Sequence, residues 1–207
     1  MTQDTGETPK HANEDSPEKF YAVLAGTVLF GLVAYGLSFL LGTPFGPQIQ
    51  FSLDDIFIGI IATLPPVVFL WWFSNTDLPT FVEFRHSQIE FFADIGFQFT
   101  RPRILAMAVG AGVCEELLFR GVFQPWLASF SPVLFAIIVS NIVFGFLHMR
   151  TLLSALIAGG VGIYFGLLYA FNGNLIAPMI AHGLYDAVAL EYTRRAVLSF
   201  NANNANP

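Results

Sequence analysis

Charge is scarce in this sequence. Of its 207 residues, 12% are Asp, Glu, Lys or Arg, against about 25% in soluble domains. The nine basic residues are scattered, with no run and no basic face, which excludes an electrostatic footprint for nucleic acid. A single cysteine, Cys114, excludes an intrachain disulfide and reads as a small buried thiol. No HExxH occurs, so a zincin-type helix with its base between two ligands is excluded. The N-terminal stretch also lacks the basic segment of a secretory signal. Residues 1–19 hold five acids and two lysines and read as a disordered polar tail. What the chain does have is apolar surface: 55% hydrophobic residues, 23 of them Phe, with a mean hydropathy of +0.62. A soluble core of one domain does not need that much, so lipid is expected to be the solvent for much of the chain.

A membrane-crossing helix takes about 20 apolar residues, with a range of roughly 17–25. Six stretches qualify, at about 20–41, 56–73, 104–124, 132–149, 152–171 and 175–191, the last being short. Residues 77–99 are too polar to span. Glu83, His86, Glu90 and Asp94 fall at helical spacing there, with Phe84, Phe91, Phe92 and Ile95 largely off that stripe, the pattern of an interfacial helix. The expected fold is therefore all-α, a polytopic membrane helix bundle of about six transmembrane helices plus one interfacial helix. Eight of the nine basic residues fall on one side of this arrangement and the ninth, Arg120, lies inside a span. The positive-inside rule then puts both termini in the cytoplasm, of a cell or inner membrane. Gly159, Gly162 and Gly166 make one side of the fifth span small, which suits close helix packing.

The informative residues break the apolar rule. Span three carries Glu115, Glu116 and Arg120, span four Asn141 and His148, and span six His182 and Asp186. An ionisable group at mid-bilayer costs about 2.5–3.5 kcal/mol and is usually functional, so these groups are expected to face inward. Glu116 and Arg120 are i,i+4 with the acid first, the favourable order for an ion pair. Glu115 sits about 100° around the helix and need not share that pair. His182 and Asp186 are also i,i+4, and Phe144 shares a face with His148. A carboxylate with two imidazoles can bind a divalent metal or activate water by general-base catalysis.

The motifs Glu115-Glu116-Leu117-Leu118-Phe119-Arg120, Phe144-Gly145-Phe146-Leu147-His148 and His182-Gly183-Leu184-Tyr185-Asp186 occur in this order on three spans. They resemble EExxxR, FxxxH and HxxxN or HxxxD-like motifs of the CPBP family of intramembrane proteases, which includes the CAAX prenyl endopeptidases and abortive-infection-like proteins. The likeness covers roughly 104–190. With the spans, the expected division is a tail at 1–19, two transmembrane helices and an interfacial segment at 20–103, a core of about four transmembrane helices at 104–195, which the likeness makes catalytic, and a polar tail at 196–207. The likeness is absent from the first hundred residues. It implies a hydrolase that cuts peptide bonds of a membrane-associated protein or peptide. Glu115 would activate water beside His148, while His182 and Asp186 would stabilise the oxyanion or help hold a metal. Glu116, Arg120 and Phe144 would position them. The cofactor implied is either a divalent metal such as zinc, on Glu115, His148, His182 and Asp186, or none, in a glutamate mechanism. The third motif often ends in Asn in the family. Asp186 as a carboxylate can only accept, so it would serve as metal ligand or as orienter of His182; protonated, it could still donate. A proton- or cation-coupled transporter, or a non-catalytic immunity or scaffold protein, are the alternatives. The first two spans share no motif with the last four, which disfavours the repeat architecture of a transporter.

Depth counting sets a constraint. At 1.5 Å per residue Glu115 lies roughly 16 Å from the cytoplasmic face and His148 only about 3 Å. Span three begins later, span four runs past Arg150, or a cavity opens inward.

Overall fold

A computed structural model of the chain describes residues 15–205. Positions 1–14 of the stretch read as a disordered tail lie outside them. Every regular element described is helical. Helix α1, Pro17–Leu40, opens on a proline, whose missing N–H costs nothing in a first turn. Helix α2, Leu53–Ala62, is capped by the Ser52 hydroxyl, which accepts from Asp55 N at 3.0 Å. Helix α3, Leu64–Asn75, follows after one residue. Pro66 cannot donate to the Ala62 carbonyl, and the Tyr164 hydroxyl donates to that carbonyl instead, at 2.9 Å. The second expected span is thus a broken rod.

Helix α4, Pro79–Ala93, occupies most of the stretch read as interfacial. Helix α5, Arg101–Leu118, runs through a π-helical turn, Phe119–Phe123, into the short α6, Gln124–Ala128. Helix α7 spans Val133–Leu147 and α8 spans Leu152–Asn172, where the left-handed Gly173 (φ +71°) ends it. Helix α9 runs from Ile176 to Ala205, so the helix of the sixth stretch continues well past its apolar residues and through residues 196–205 of the expected polar tail.

Among the described residues, α1, the α2–α3 rod and α8 are long and apolar enough to cross a membrane by length and composition, and α7 is apolar but shorter. The outer surface exposes Leu29, Leu32, Phe39, Trp71, Phe135, Ile142, Phe146 and Leu156. Water would not tolerate so much apolar area on a monomer. Together these features make an all-α membrane helix bundle.

Helices α5 and α9 form the centre, with α1 against α5, α2 against α9, and α7 paired with α8. Small residues set these distances. A Cβ on Gly112 would lie 2.7 Å from Gly183 N and 2.9 Å from Met179 O, so only glycine lets α5 approach α9 this closely. Gly145 of α7 meets the Ala155 carbonyl of α8 in the same way.

Polar clips close the bundle at both ends. At one, Asn174 donates to Gln50 O and Asp55 Oδ2, and Leu175 N donates to Gln48 O at 2.8 Å. At the other, Arg103 pairs with Asp15, and Arg85 donates to the carbonyls of Phe73 and Thr76 at 2.7 and 2.8 Å, tying α4 to α3. The Arg103 guanidinium, with the backbone N–H of Gln98, holds the Asp15 carboxyl below the usual carboxylate range.

Replacing Gly112 with alanine is expected to lower stability by about 1–3 kcal/mol through overpacking at α5–α9. Gly26→Ala, with no atom within 4 Å of its added Cβ, is expected to be neutral or stabilising. Thermal unfolding in detergent checks both.

Candidate active site

The site begins with a buried arginine. Arg120 and Glu116 both have no solvent exposure. Arg120 lies one position into the π turn, where the wider backbone is stabilised by Gln48 Nε2 donating to the Gly121 carbonyl at 3.1 Å. Its Nη1 donates to Glu116 Oε1 at 2.9 Å, and its Nη2 donates to Asn141 Oδ1 at 2.8 Å and to the Gly162 carbonyl at 2.5 Å. One side chain therefore joins α5, α7 and α8. Gly162 has to be glycine, because a Cβ there would run into Asn141 Oδ1 and lie 3.2 Å from Arg120 Nη2. One turn on, Gln124 donates to the Gly166 carbonyl at 2.9 Å. The small residues of α8, expected from sequence to serve packing, also present their carbonyls to polar side chains from the α5–α6 rod.

Glu116 carries the connection to α9. Its Oε1 also accepts from His182 Nδ1 at 2.8 Å. That bond fixes the imidazole and turns Nε2 toward Asp186 Oδ2, 3.6 Å away, too long for a hydrogen bond. The group that orients His182 is thus Glu116, rather than Asp186 as expected, because tertiary packing of α5 on α9 brings Glu116 closer than the residue one turn along. Phe165 stacks on the His182 ring (5.2 Å, 24°), and Phe144 meets it edge-on at 6.3 Å.

Glu115 points elsewhere. Its Oε2 faces His148 Nε2 at 3.7 Å, with 13% of its side chain exposed against 41% for the histidine. His148 Nδ1 donates to the Phe144 carbonyl at 2.8 Å, which leaves Nε2 free to accept. The Phe144 ring lies against the His148 ring at 4.4 Å. His148 closes α7, and the turn after it is pinned by Ser154. The Ser154 hydroxyl takes the N–H groups of Arg150 and Thr151 at 3.1 and 2.9 Å and lies 3.1 Å from the His148 carbonyl.

Glu115, Phe144, His148, His182, Tyr185 and Asp186 all line one cavity of about 600 Å³, which reaches Arg150 and the Phe84, Gln88, Phe91 and Phe92 side chains of α4. The depth mismatch dissolves here in two ways. The 15 residues of α7 rise about 22 Å, less than the roughly 30 Å of a hydrocarbon core, so a helix starting at one face ends short of the other. The cavity then connects that depth to the end of the bundle bearing Arg150. Ile157 and Val161 are shared with a second, apolar cavity of about 400 Å³ that also touches Pro65, Pro66, Phe69 and Tyr164.

The donors do not form a metal cage. Among the described residues no three His, Cys, Asp or Glu side chains converge on a point where an ion could sit. Glu115, His148, His182 and Asp186 split into two pairs, and Glu116 occupies the second nitrogen of His182. A tetrahedral zinc site needs at least three protein ligands, so the residues present do not fit one.

Sequence spacing had brought forward Glu115, Glu116, Arg120, Phe144, His148, His182 and Asp186, and these side chains meet in this one region. It missed Gln124, Phe165, Ser154 and the backbone carbonyls of Gly162 and Gly166. Gln124 had a signal, being a polar residue four positions after Arg120 in an apolar span. The carbonyls had none.

A helical membrane bundle with a glutamate and a histidine facing each other over a cavity, and a second glutamate fixed behind them, defines the class. Residues 97–188 match the family model described as Type II CAAX prenyl endopeptidase Rce1-like. That stretch, somewhat under half of the chain, carries all three motifs, and its likeness is to the CPBP/CAAX protease family. A Bacillus subtilis (strain 168) protein named "Uncharacterized protein YpbD" is 32% identical over 90 residues, 42% of this chain and 43% of that protein. The chain thus matches less than half the length of that relative. No solved structure gives a significant match.

Arg120→Met leaves Glu116 buried with no counter-charge from α5. Breaking a buried pair this way costs about 3–5 kcal/mol. Unfolding in detergent is expected to show that loss, and a smaller one for Arg120→Lys, which keeps the charge but not the fork.

Proposed function

We propose that the protein is an intramembrane endopeptidase whose Glu115 and His148 activate water against a peptide bond of a membrane-associated protein or peptide. The observation that carries this reading is the 3.7 Å separation of Glu115 Oε2 and His148 Nε2 at the wall of an open cavity. That gap is too long for a direct hydrogen bond and suits one bridging water molecule. Both atoms are acceptors, so each takes one proton of that water and aims its lone pair into the cavity.

The chemistry then runs through side chains alone. The water oxygen attacks the scissile carbonyl carbon as Glu115 takes its proton. The carbonyl π pair moves to oxygen, where His182, held at Nδ1 by Glu116 and carrying a proton on Nε2, donates to it. When the tetrahedral intermediate collapses, the C–N bond breaks and the proton on Glu115 passes to the leaving nitrogen. A carboxylate and an amine leave. The family's name specifies prenylated CAAX substrates, and the apolar cavity adjoining the site has room for a prenyl chain. With eight of nine basic residues on one side, both termini and the cavity mouth beside Arg150 would face the cytoplasm. Residues 104–195 would be the catalytic core, with 20–103 bracing it.

Membranes from cells making the wild type and from cells making Glu115→Ala are compared by proteomics, with and without chelator. The reading expects a protein that is shortened only where Glu115 is present, with chelator making no difference. A Glu115→Ala protein that trims the same substrate at the wild-type rate contradicts it.

A further inference from the structure

Oxyanion stabilisation in this site has one donor too few. His182 offers Nε2, while Asp186, with its Oδ2 3.6 Å from that nitrogen, offers no donor in its ionised form. An ionised carboxylate has no proton to donate, and next to a developing negative charge it repels. Where the resembling motif ends in Asn, an amide would supply the second donor.

Tyr185 stands one residue before Asp186 and three after His182 on α9, so it shares their side of the helix. It packs against the cluster of Ala62, Phe165 and Ala181, whose Phe165 stacks on His182. The side chain lines the cavity together with Glu115, His148, His182 and Asp186. No described residue hydrogen-bonds its hydroxyl, in contrast to Tyr164 and Tyr169, which donate to Ala62 O and Gln48 Oε1. A packed phenol on a cavity wall whose O–H is uncommitted can serve as a preorganised donor.

We propose that the Tyr185 hydroxyl is the second oxyanion donor of this protein, doing beside His182 what an amide at position 186 would otherwise do. The inference rests on the proteolytic reading above. As the water oxygen bonds to the carbonyl carbon and the π pair moves to oxygen, the phenol donates a hydrogen bond to that oxygen. It keeps its proton throughout, so the proton count stays with Glu115. Asp186 then holds no oxyanion; it faces His182 Nε2 from the other side of the site.

The test uses full-length protein in detergent and an internally quenched peptide ending in a farnesylated CAAX sequence. Tyr185→Phe removes one oxygen and keeps the ring packing. Loss of one oxyanion donor is expected to lower kcat by roughly 10²-fold with KM within about twofold. Adding Asp186→Asn to that variant supplies an amide donor and is expected to restore kcat at least about tenfold, part of the loss from one oxyanion donor. A Tyr185→Phe enzyme whose kcat matches the wild type overturns the proposal, as does a loss that Asp186→Asn fails to rescue, which would assign it to packing. A wild type that leaves the peptide intact, in membranes where Glu115→Ala also changes nothing, overturns the proteolytic reading and this inference with it.

Discussion

The guanidinium of Arg120 lies where no water reaches, and its charge must be answered from within the protein. Glu116, Asn141 and the Gly162 carbonyl answer it from three helices. Removing an ion from water costs several kcal/mol unless its partners are well placed, so α5, α7 and α8 have few arrangements open to them. Glycines at 112, 145 and 162 let the backbones come close enough. The π turn gives Arg120 its place on the rod, and Gln48 holds that turn from the far loop.

The same network divides labour between two adjacent carboxylates. Glu116 accepts from Arg120 and His182 through one oxygen and has no exposed surface. It has no freedom to collect a proton from substrate water. Glu115, one residue earlier, keeps part of its surface in the cavity and faces a histidine whose own second nitrogen is already committed to a backbone carbonyl. In the proposed mechanism the fixed carboxylate orients and the free one reacts, and a 100° step around one helix separates the two. Phe144 and Phe165 serve as the apolar walls against which both histidines rest.

Much of this was legible in the sequence because lipid makes polar residues conspicuous. Six apolar stretches became helical rods, and the charged residues inside them turned out to be neighbours. The Glu116–Arg120 pair followed from i,i+4 spacing alone. What spacing could not reveal is tertiary: that Glu116 rather than Asp186 holds His182, since the contact joins positions 66 residues apart. The reading of 56–73 as one span passed over the Pro65-Pro66 pair where the second rod breaks, and the carbonyl it frees finds Tyr164 only in the folded bundle. The continuation of α9 to Ala205 was hidden because residues 192–205 are too polar to read as a span, and there the helix needs no lipid.

Glu115→Gln and Glu116→Gln, each measured for thermal stability in detergent and for cleavage of one identified substrate, test the division most directly. The first is expected to keep the wild-type unfolding midpoint and lose cleavage, while the second loses stability because Arg120 and His182 are left without their shared carboxylate. A Glu115→Gln protein that cleaves normally, or a Glu116→Gln protein as stable as the wild type, would contradict it.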